Sequence, residues 1–98
     1  MPETSPETEL AKCRAQIDEL DLRLLALLNQ RTLIAQEIGK IKQAANMAVY
    51  EPKREDLVYQ NVTANNKGPL PNDAVRRVFE RIIDEMRKVQ RDRMEQNA

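Results

Sequence analysis

The sequence predicts an all-α protein of three helices per chain, and three observations predict it. Apolar residues recur at helical spacing along most of the 98 residues. Leu, Ile, Ala, Glu, Lys, Arg and Gln dominate, and their unbranched members lose little rotamer freedom in a helix. Aromatics make up 3% of the chain and only two glycines occur, which disfavours a strand-rich fold.

The first helix rests on a sustained heptad seam. Leu10, Ile17, Leu24, Arg31, Ile38 and Ala45 recur every seventh residue, and Cys13, Leu20, Leu27, Ile34 and Ile41 follow each by three. No proline interrupts this run, so helix 1 is expected from about Glu9 to about Asn46, with Ser5, Pro6 and Thr8 as start signals. Pro52 suits the first turn of a second helix, expected over 52–65. Asn65-Asn66-Lys67-Gly68-Pro69-Leu70-Pro71 is the clearest loop. Asn72 or Asp73 then opens helix 3, whose apolar stripe is Val75, Val78, Phe79, Ile82, Ile83, Met86 and Val89, and which runs to about Met94. One helical domain is expected over 9–95, with frayed tails at 1–8 and 96–98.

At ~1.5 Å per residue, helix 1 is roughly 57 Å long. A compact monomer of this size has a diameter of roughly 34 Å, so the helix overshoots its own domain. A second copy packed antiparallel along the long helix cures this, and an intertwined six-helix homodimer is the expected architecture.

Composition closes off several chemistries. The chain has no histidine, so His-based triads and His-ligated metal sites are absent. The lone Cys13 has no neighbouring base and reads as a packed thiol. Gly39 and Gly68 stand too far apart to make a phosphate loop. Sixteen acids balance sixteen bases, which leaves no global field to draw nucleic acid or an anionic membrane. Helix 3 is Arg-rich, but Glu80, Asp84, Glu85, Asp92 and Glu95 interleave with its bases. There is no apolar run of the roughly 20 residues needed to cross a bilayer, and no signal-peptide pattern, so a cytoplasmic location is expected. Catalysis must come from Arg, Lys, Glu, Asp and Gln.

The informative residues are the charges that break the apolar pattern. Arg31 stands in the heptad seam where an aliphatic residue is expected, and a buried guanidinium needs an anionic partner. Lys42 lies eleven residues on, about 20° off the same face and about 16 Å along the axis, so the two side chains can converge on something small. The bland alternative is that such cations snorkel to water. Arg14 is about 25 Å from Arg31 and about 100° round the helix. If both bind one small ligand, Arg14 must come from the partner chain; otherwise it is a solvated surface residue. Glu51 and Glu55 are four residues apart with Arg54 close by, a charge patch on helix 2. Gln90 closes the apolar stripe of helix 3, four residues after Met86. Gly39 costs a helix interior about 1 kcal/mol; ordinary packing is the first explanation, and a close approach there by a neighbouring helix or a ligand is the alternative.

Taken in order, these residues carry a resemblance. The run Arg14-x-x-Ile17-Asp18-x-Leu20-Asp21-x-x-Leu24-Leu25-x-Leu27-Leu28-x-x-Arg31 resembles the opening of the all-helical (AroQ-class) chorismate mutases. So do Ile38-Gly39-Lys40-x-Lys42, then Val49-Tyr50-Glu51-Pro52-x-Arg54-Glu55, then Phe79-x-x-Ile82-Ile83 with Gln90 behind it. The resemblance implies an intertwined dimer that rearranges chorismate to prephenate without a cofactor or metal. It implies that Arg31 and, from the other subunit, Arg14 bind the two carboxylates, while Lys42 and Gln90 hydrogen-bond the ether oxygen of the breaking bond. Glu55, with Glu51 nearby, would contact the ring hydroxyl, and Arg54 would complete the polar wall. The family often has Asp where Glu51 stands, and at Met86 many members carry a small polar residue, commonly Ser. Such mutases are often fused to or complexed with other enzymes of aromatic amino-acid synthesis, so a docking partner of that kind is a further expectation. Two rival readings are an isochorismate pyruvate-lyase on the same scaffold and a helical dimerisation module with no ligand.

Overall fold

The structure, a computed structural model, describes residues 5–96. It contains three helices in the order α1 (Pro6–Ala44), α2 (Pro52–Ala64) and α3 (Asn72–Gln96), with no strand among the described residues. None of these helices is long and apolar enough to cross a membrane. Residues 1–4 of the expected amino-terminal tail, and Asn97 and Ala98 of the carboxy-terminal one, lie outside the described residues. By internal packing the chain divides into two compact units, one ending at Arg31 and one starting at Thr32.

The first unit is the amino-terminal part of α1. The helix starts at Pro6, three residues before the expected point, because Ser5 caps it: the Thr8 amide donates to Ser5 Oγ at 3.2 Å and the Glu9 amide to the Ser5 carbonyl at 3.0 Å. Pro6 follows at the first helical position, where its missing N–H costs nothing. No described residue of this unit is buried, and its seam stands open, with Leu10, Ile17, Leu20, Leu24 and Leu27 each about half exposed. Cys13, expected as a packed thiol, is exposed as part of that open seam.

The second unit holds the end of α1 together with α2 and α3. Helix α1 stops at Ala44 rather than Asn46. Asn46 takes a left-handed conformation (φ 55°), and the Met47 amide donates back to the Lys42 carbonyl at 2.8 Å, so the last turn closes as a Schellman-type cap with Asn in the usual glycine position. Pro52 opens α2, and the Asn65 side chain, through its amide nitrogen, donates to the Asn61 carbonyl at 2.8 Å at its end. In the loop, Asn66 accepts from the Gly68 amide at 3.0 Å and donates to the Leu70 carbonyl and to Asn72 Oδ1, each at 2.7 Å. One side chain thereby sets the path between the two helices.

Helices α2 and α3 run antiparallel: Glu55 meets Arg87, and one turn further along α2 the Tyr59 ring meets Arg76. The core of the unit is Ala35, Tyr59, Val75, Ile83 and Met86. The expected α3 stripe is therefore buried at Val75, Ile83 and Met86, half-buried at Phe79, Ile82 and Val89, and exposed at Val78. On the outer face of α3, Arg76, Arg77 and Arg81 pair with Glu80, Asp73 and Glu85 at helical spacing, exposed pairs worth a few tenths of a kcal/mol each.

Candidate active site

The second unit is built around a lysine. Lys42, in the last turn of α1, is only 5% exposed. Burying an ammonium without partners is costly, and here it has three: two hydrogen-bond acceptors and one carboxylate. Nζ lies 2.7 Å from Glu51 Oε1, donates to Gln90 Oε1 at 2.9 Å and donates to the Val49 carbonyl at 2.8 Å. Each contact comes from a different segment: the start of α2, the carboxy-terminal third of α3, and the link between α1 and α2.

Local structure explains why these groups are available. Glu51 is the N-cap residue of α2, yet its side chain makes no cap hydrogen bond, since the carboxylate is turned to Lys42. Gln90 reaches the lysine because α1 and α3 touch at a glycine. A Cβ on Gly39 would lie 3.0 Å from Gln90 Cα, 3.1 Å from its carbonyl oxygen and 3.3 Å from its Cβ. The glycine therefore serves the packing of a neighbouring helix. Gln43 adds a second tie between the same helices, donating from Nε2 to the Met94 carbonyl at 2.9 Å. A lysine can only donate, so Gln90 must present its amide oxygen to Lys42, and its NH2 then points elsewhere as a donor.

One turn along α2 from Glu51, a second polar contact spans α2 and α3. Glu55 Oε2 lies 3.0 Å from Arg87 Nε, with both side chains largely covered (17% and 27% exposed). The geometry is that of a charge contact and not of an aligned hydrogen bond, for this nitrogen is shielded from solvent yet has no acceptor in line. Arg87 also pairs with Asp84 and sits 5.4 Å from the centre of the Tyr50 ring. Met86, on the core side of α3, is buried, and Thr32 donates to its sulfur at 3.7 Å.

The expected site residues therefore divide. Lys42, Glu51 and Gln90 are in direct contact, and Glu55 stands one turn away on α2. Met86 joins the buried face of α3, where the thioether meets the Thr32 hydroxyl in a weak contact. Arg54 is exposed on α2. Arg31 is half-exposed and Arg14 exposed, both in the unit that ends at Arg31. Three participants were not anticipated: Arg87, Thr32 and the Val49 carbonyl. Arg87 left a trace in the sequence, as a cation directly after Met86 and three residues after Asp84; a backbone carbonyl leaves none. Among the described residues no group of three or more His, Cys, Asp or Glu could hold a metal ion.

Comparison with known proteins now decides the family. The family model described as chorismate mutase type II matches residues 13–91. The chain belongs to that family. The bifunctional chorismate mutase/prephenate dehydratase of Neisseria gonorrhoeae is 41% identical to this family member over 78 residues, covering 80% of the chain and 21% of the relative. The chain thus spans about a fifth of the length of the bifunctional relatives it matches. The chorismate mutase of Methanocaldococcus jannaschii is 25% identical over 89 residues, 90% of each chain. Among solved structures, the Helicobacter pylori chorismate mutase in complex with prephenate superposes with a TM-score of 0.84 at 30% identity, over 90% of this chain and 96% of that one. The form II chorismate mutase structure from Thermus thermophilus gives 0.83 at 29% identity, over 85% and 94%. The expected all-helical chorismate mutase fold is the one found.

Proposed function

We propose that this family member catalyses the cofactor-free rearrangement of chorismate to prephenate. The observation that carries the reading is the buried Lys42 ammonium, held by Glu51, Gln90 and the Val49 carbonyl. In the reaction one C–O bond breaks and one C–C bond forms within a single molecule. It therefore requires no nucleophile, redox partner or proton relay. The protein must hold a flexible dianion in its compact reacting conformer and favour the negative charge that grows on the ether oxygen. Lys42 and the Gln90 NH2 are the donors for that oxygen. Lys42 donates hydrogen bonds to Gln90 and the Val49 carbonyl and is ion-paired with Glu51, so a ligand oxygen competes with one of these contacts. Glu51 is the one that yields, being 43% exposed at its side chain and bound by charge alone. Arg31 and Arg14 would clamp the two carboxylates through planar guanidinium forks, with Arg54 beside them. Glu55 would accept from the ring hydroxyl, and Met86 would lie against the ligand as an apolar wall.

Arg14 and Arg31 can serve one ligand only if Arg14 comes from a second copy, so the proposal includes the intertwined homodimer. The open seam of α1 supports it. Leu10, Ile17, Leu20, Leu24, Leu27, Ile34, Ile38 and Ile41 are all 39–62% exposed. Covering the exposed half of each is worth roughly 1 kcal/mol, so two copies gain on the order of 16 kcal/mol. That is at or above the roughly 4–15 kcal/mol cost of association. The 9–95 segment would act as one catalytic domain within this dimer, in the cytoplasm. Prephenate would pass to a further enzyme of aromatic amino-acid synthesis, by docking or by release.

The test is to incubate the purified protein with chorismate and follow prephenate formation. Conversion is expected. A folded dimer that leaves chorismate unchanged sinks the reading, and release of pyruvate from isochorismate in its place would move the protein to the lyase reaction.

A further inference from the structure

We propose that Arg87 is a positioning residue for substrate recognition: it anchors one oxygen of Glu55 so that the other is held ready for the ring hydroxyl. The inference rests on the mutase reading of the Glu55 site and deepens it. The resemblance assigns no role to Arg87, and its neighbours suggest one. A glutamate has three rotatable bonds and, unrestrained on a helix surface, points its carboxylate in many directions. Here Arg87 Nε stands 3.0 Å from Oε2, which leaves Oε1 as the oxygen able to accept from a ligand. The contact is electrostatic and not an aligned hydrogen bond, so it draws the carboxylate towards α3 without a directed hydrogen bond to it. Arg87 is itself fixed, by the Asp84 carboxylate on its own helix and by the face of Tyr50, just before α2. It lies three residues before Gln90, on a neighbouring position of the same helix, as Glu55 lies four after Glu51. The Arg87–Glu55 contact thus joins α3 to α2 one turn along from the point where Lys42 holds Gln90 and Glu51. Exposed ion pairs commonly contribute little, but both partners here are mostly covered.

The test is steady-state kinetics on the full chain with chorismate, comparing wild type with Arg87→Met, Arg87→Lys, Glu55→Gln and the double variant Arg87→Met/Glu55→Gln. Loss of a binding contact present in both ground and transition states raises KM and spares kcat. Arg87→Met is expected to raise KM roughly five- to tenfold with kcat within about twofold, and Arg87→Lys to recover most of the loss. The double variant is expected to be no worse than Glu55→Gln, since a residue acting only through Glu55 has nothing left to act on. Unchanged KM in folded Arg87→Met, or losses that multiply in the double variant, overturns the assignment. A fall in melting temperature with unchanged KM makes Arg87 a structural clamp and also overturns it. So does failure of both Arg87 variants to fold. Wild type that does not convert chorismate sinks the mutase reading and the assignment together, whereas active wild type with an indifferent Arg87→Met sinks the assignment alone.

Discussion

The two stretches of α1 carry one continuous heptad repeat and meet opposite surroundings. From Pro6 to Arg31 no residue is buried, and leucines and isoleucines stand about half exposed along the seam. From Thr32 to Ala44, Ala35, Gly39 and Lys42 are buried, and the seam residues Ile34, Ile38 and Ile41 remain open beside them. The buried residues of the second stretch lie off the seam, so α1 has two working faces there. One face meets α3 within the chain, through Gly39 and Gln90, and the other continues the open repeat. The contrast teaches that the heptad seam stays open in the single chain along both stretches, while the small residue and the cation beside the seam mark what the chain packs on itself.

The sharpest way to break this comparison is to remove the buried cation. Lys42→Met keeps the length and apolar stem of the side chain and leaves Glu51 able to reach water. Turnover of chorismate is expected to fall about 10²–10³-fold, the scale of losing one preorganised donor to a developing oxyanion, with helix content retained by circular dichroism. A loss under about threefold would remove Lys42 from the catalytic machinery.

The amino-terminal stretch is tested by sharing the site between chains. If the proposed dimer shares its sites between chains, Arg14→Ala and Arg31→Ala proteins should each lack one clamp in every site and be nearly inactive. Refolded together in equal amounts, half of the dimers are mixed, and each mixed dimer regains one intact site of two. Activity should therefore return to about a quarter of wild type. Mixtures no better than their parents would place both arginines in the same chain's site or in none.

Gly39 offers a smaller effect that separates the two faces. Gly39→Val adds bulk against Gln90 backbone, which cannot swing aside as a side-chain tip would. The expected cost is about 1–3 kcal/mol of stability, read from the denaturant midpoint, together with lower turnover as Gln90 moves off Lys42. Unchanged stability would mean that α1 and α3 separate freely at this point.

Legibility followed the same division. Side-chain periodicity marked all three helices to within about three residues, because each has an apolar stripe and a proline or asparagine at its edge. The remaining error at the start of α1 came from reading Ser5 as a signal rather than as the cap itself, and at its end from a left-handed Asn46 that no periodicity encodes. In the site, the pattern alone left Lys42, Glu51 and Gln90 open between a site and a solvated or boundary role, and it was the family resemblance of their order and spacing that grouped them. Arg87 had no place in that grouping. On an α3 already rich in salt-bridged arginines it looks like one more, and only its fit between Glu55, Asp84 and Tyr50 distinguishes it. The Val49 carbonyl was out of reach for any reading of side chains, since the backbone is the same at every position.

The smallest effect concerns Tyr59, one turn beyond Glu55 on α2, where the packed unit meets its own charges. Its phenol is held above the ordinary tyrosine pKa, first by burial and then by the negative charges of Glu80, Glu55 and Asp84, with the Arg76 guanidinium 4.2 Å from the ring acting in the opposite sense. A raised value means that the folded protein keeps this proton after the unfolded chain has released it. The resulting stabilisation is complete below the unfolded value near 10 and is lost as pH climbs past it. Tyr59→Phe cannot ionise and keeps nearly the same ring. Melting temperatures followed from pH 9 upward should therefore show wild type losing stability relative to Tyr59→Phe only above about pH 10. The slope belongs to Tyr59 because Tyr50, the other tyrosine, is 56% exposed and present in both proteins. Parallel curves for the two would show that the phenol titrates alike folded and unfolded, and that the carboxylates around it are screened by water in place of α3.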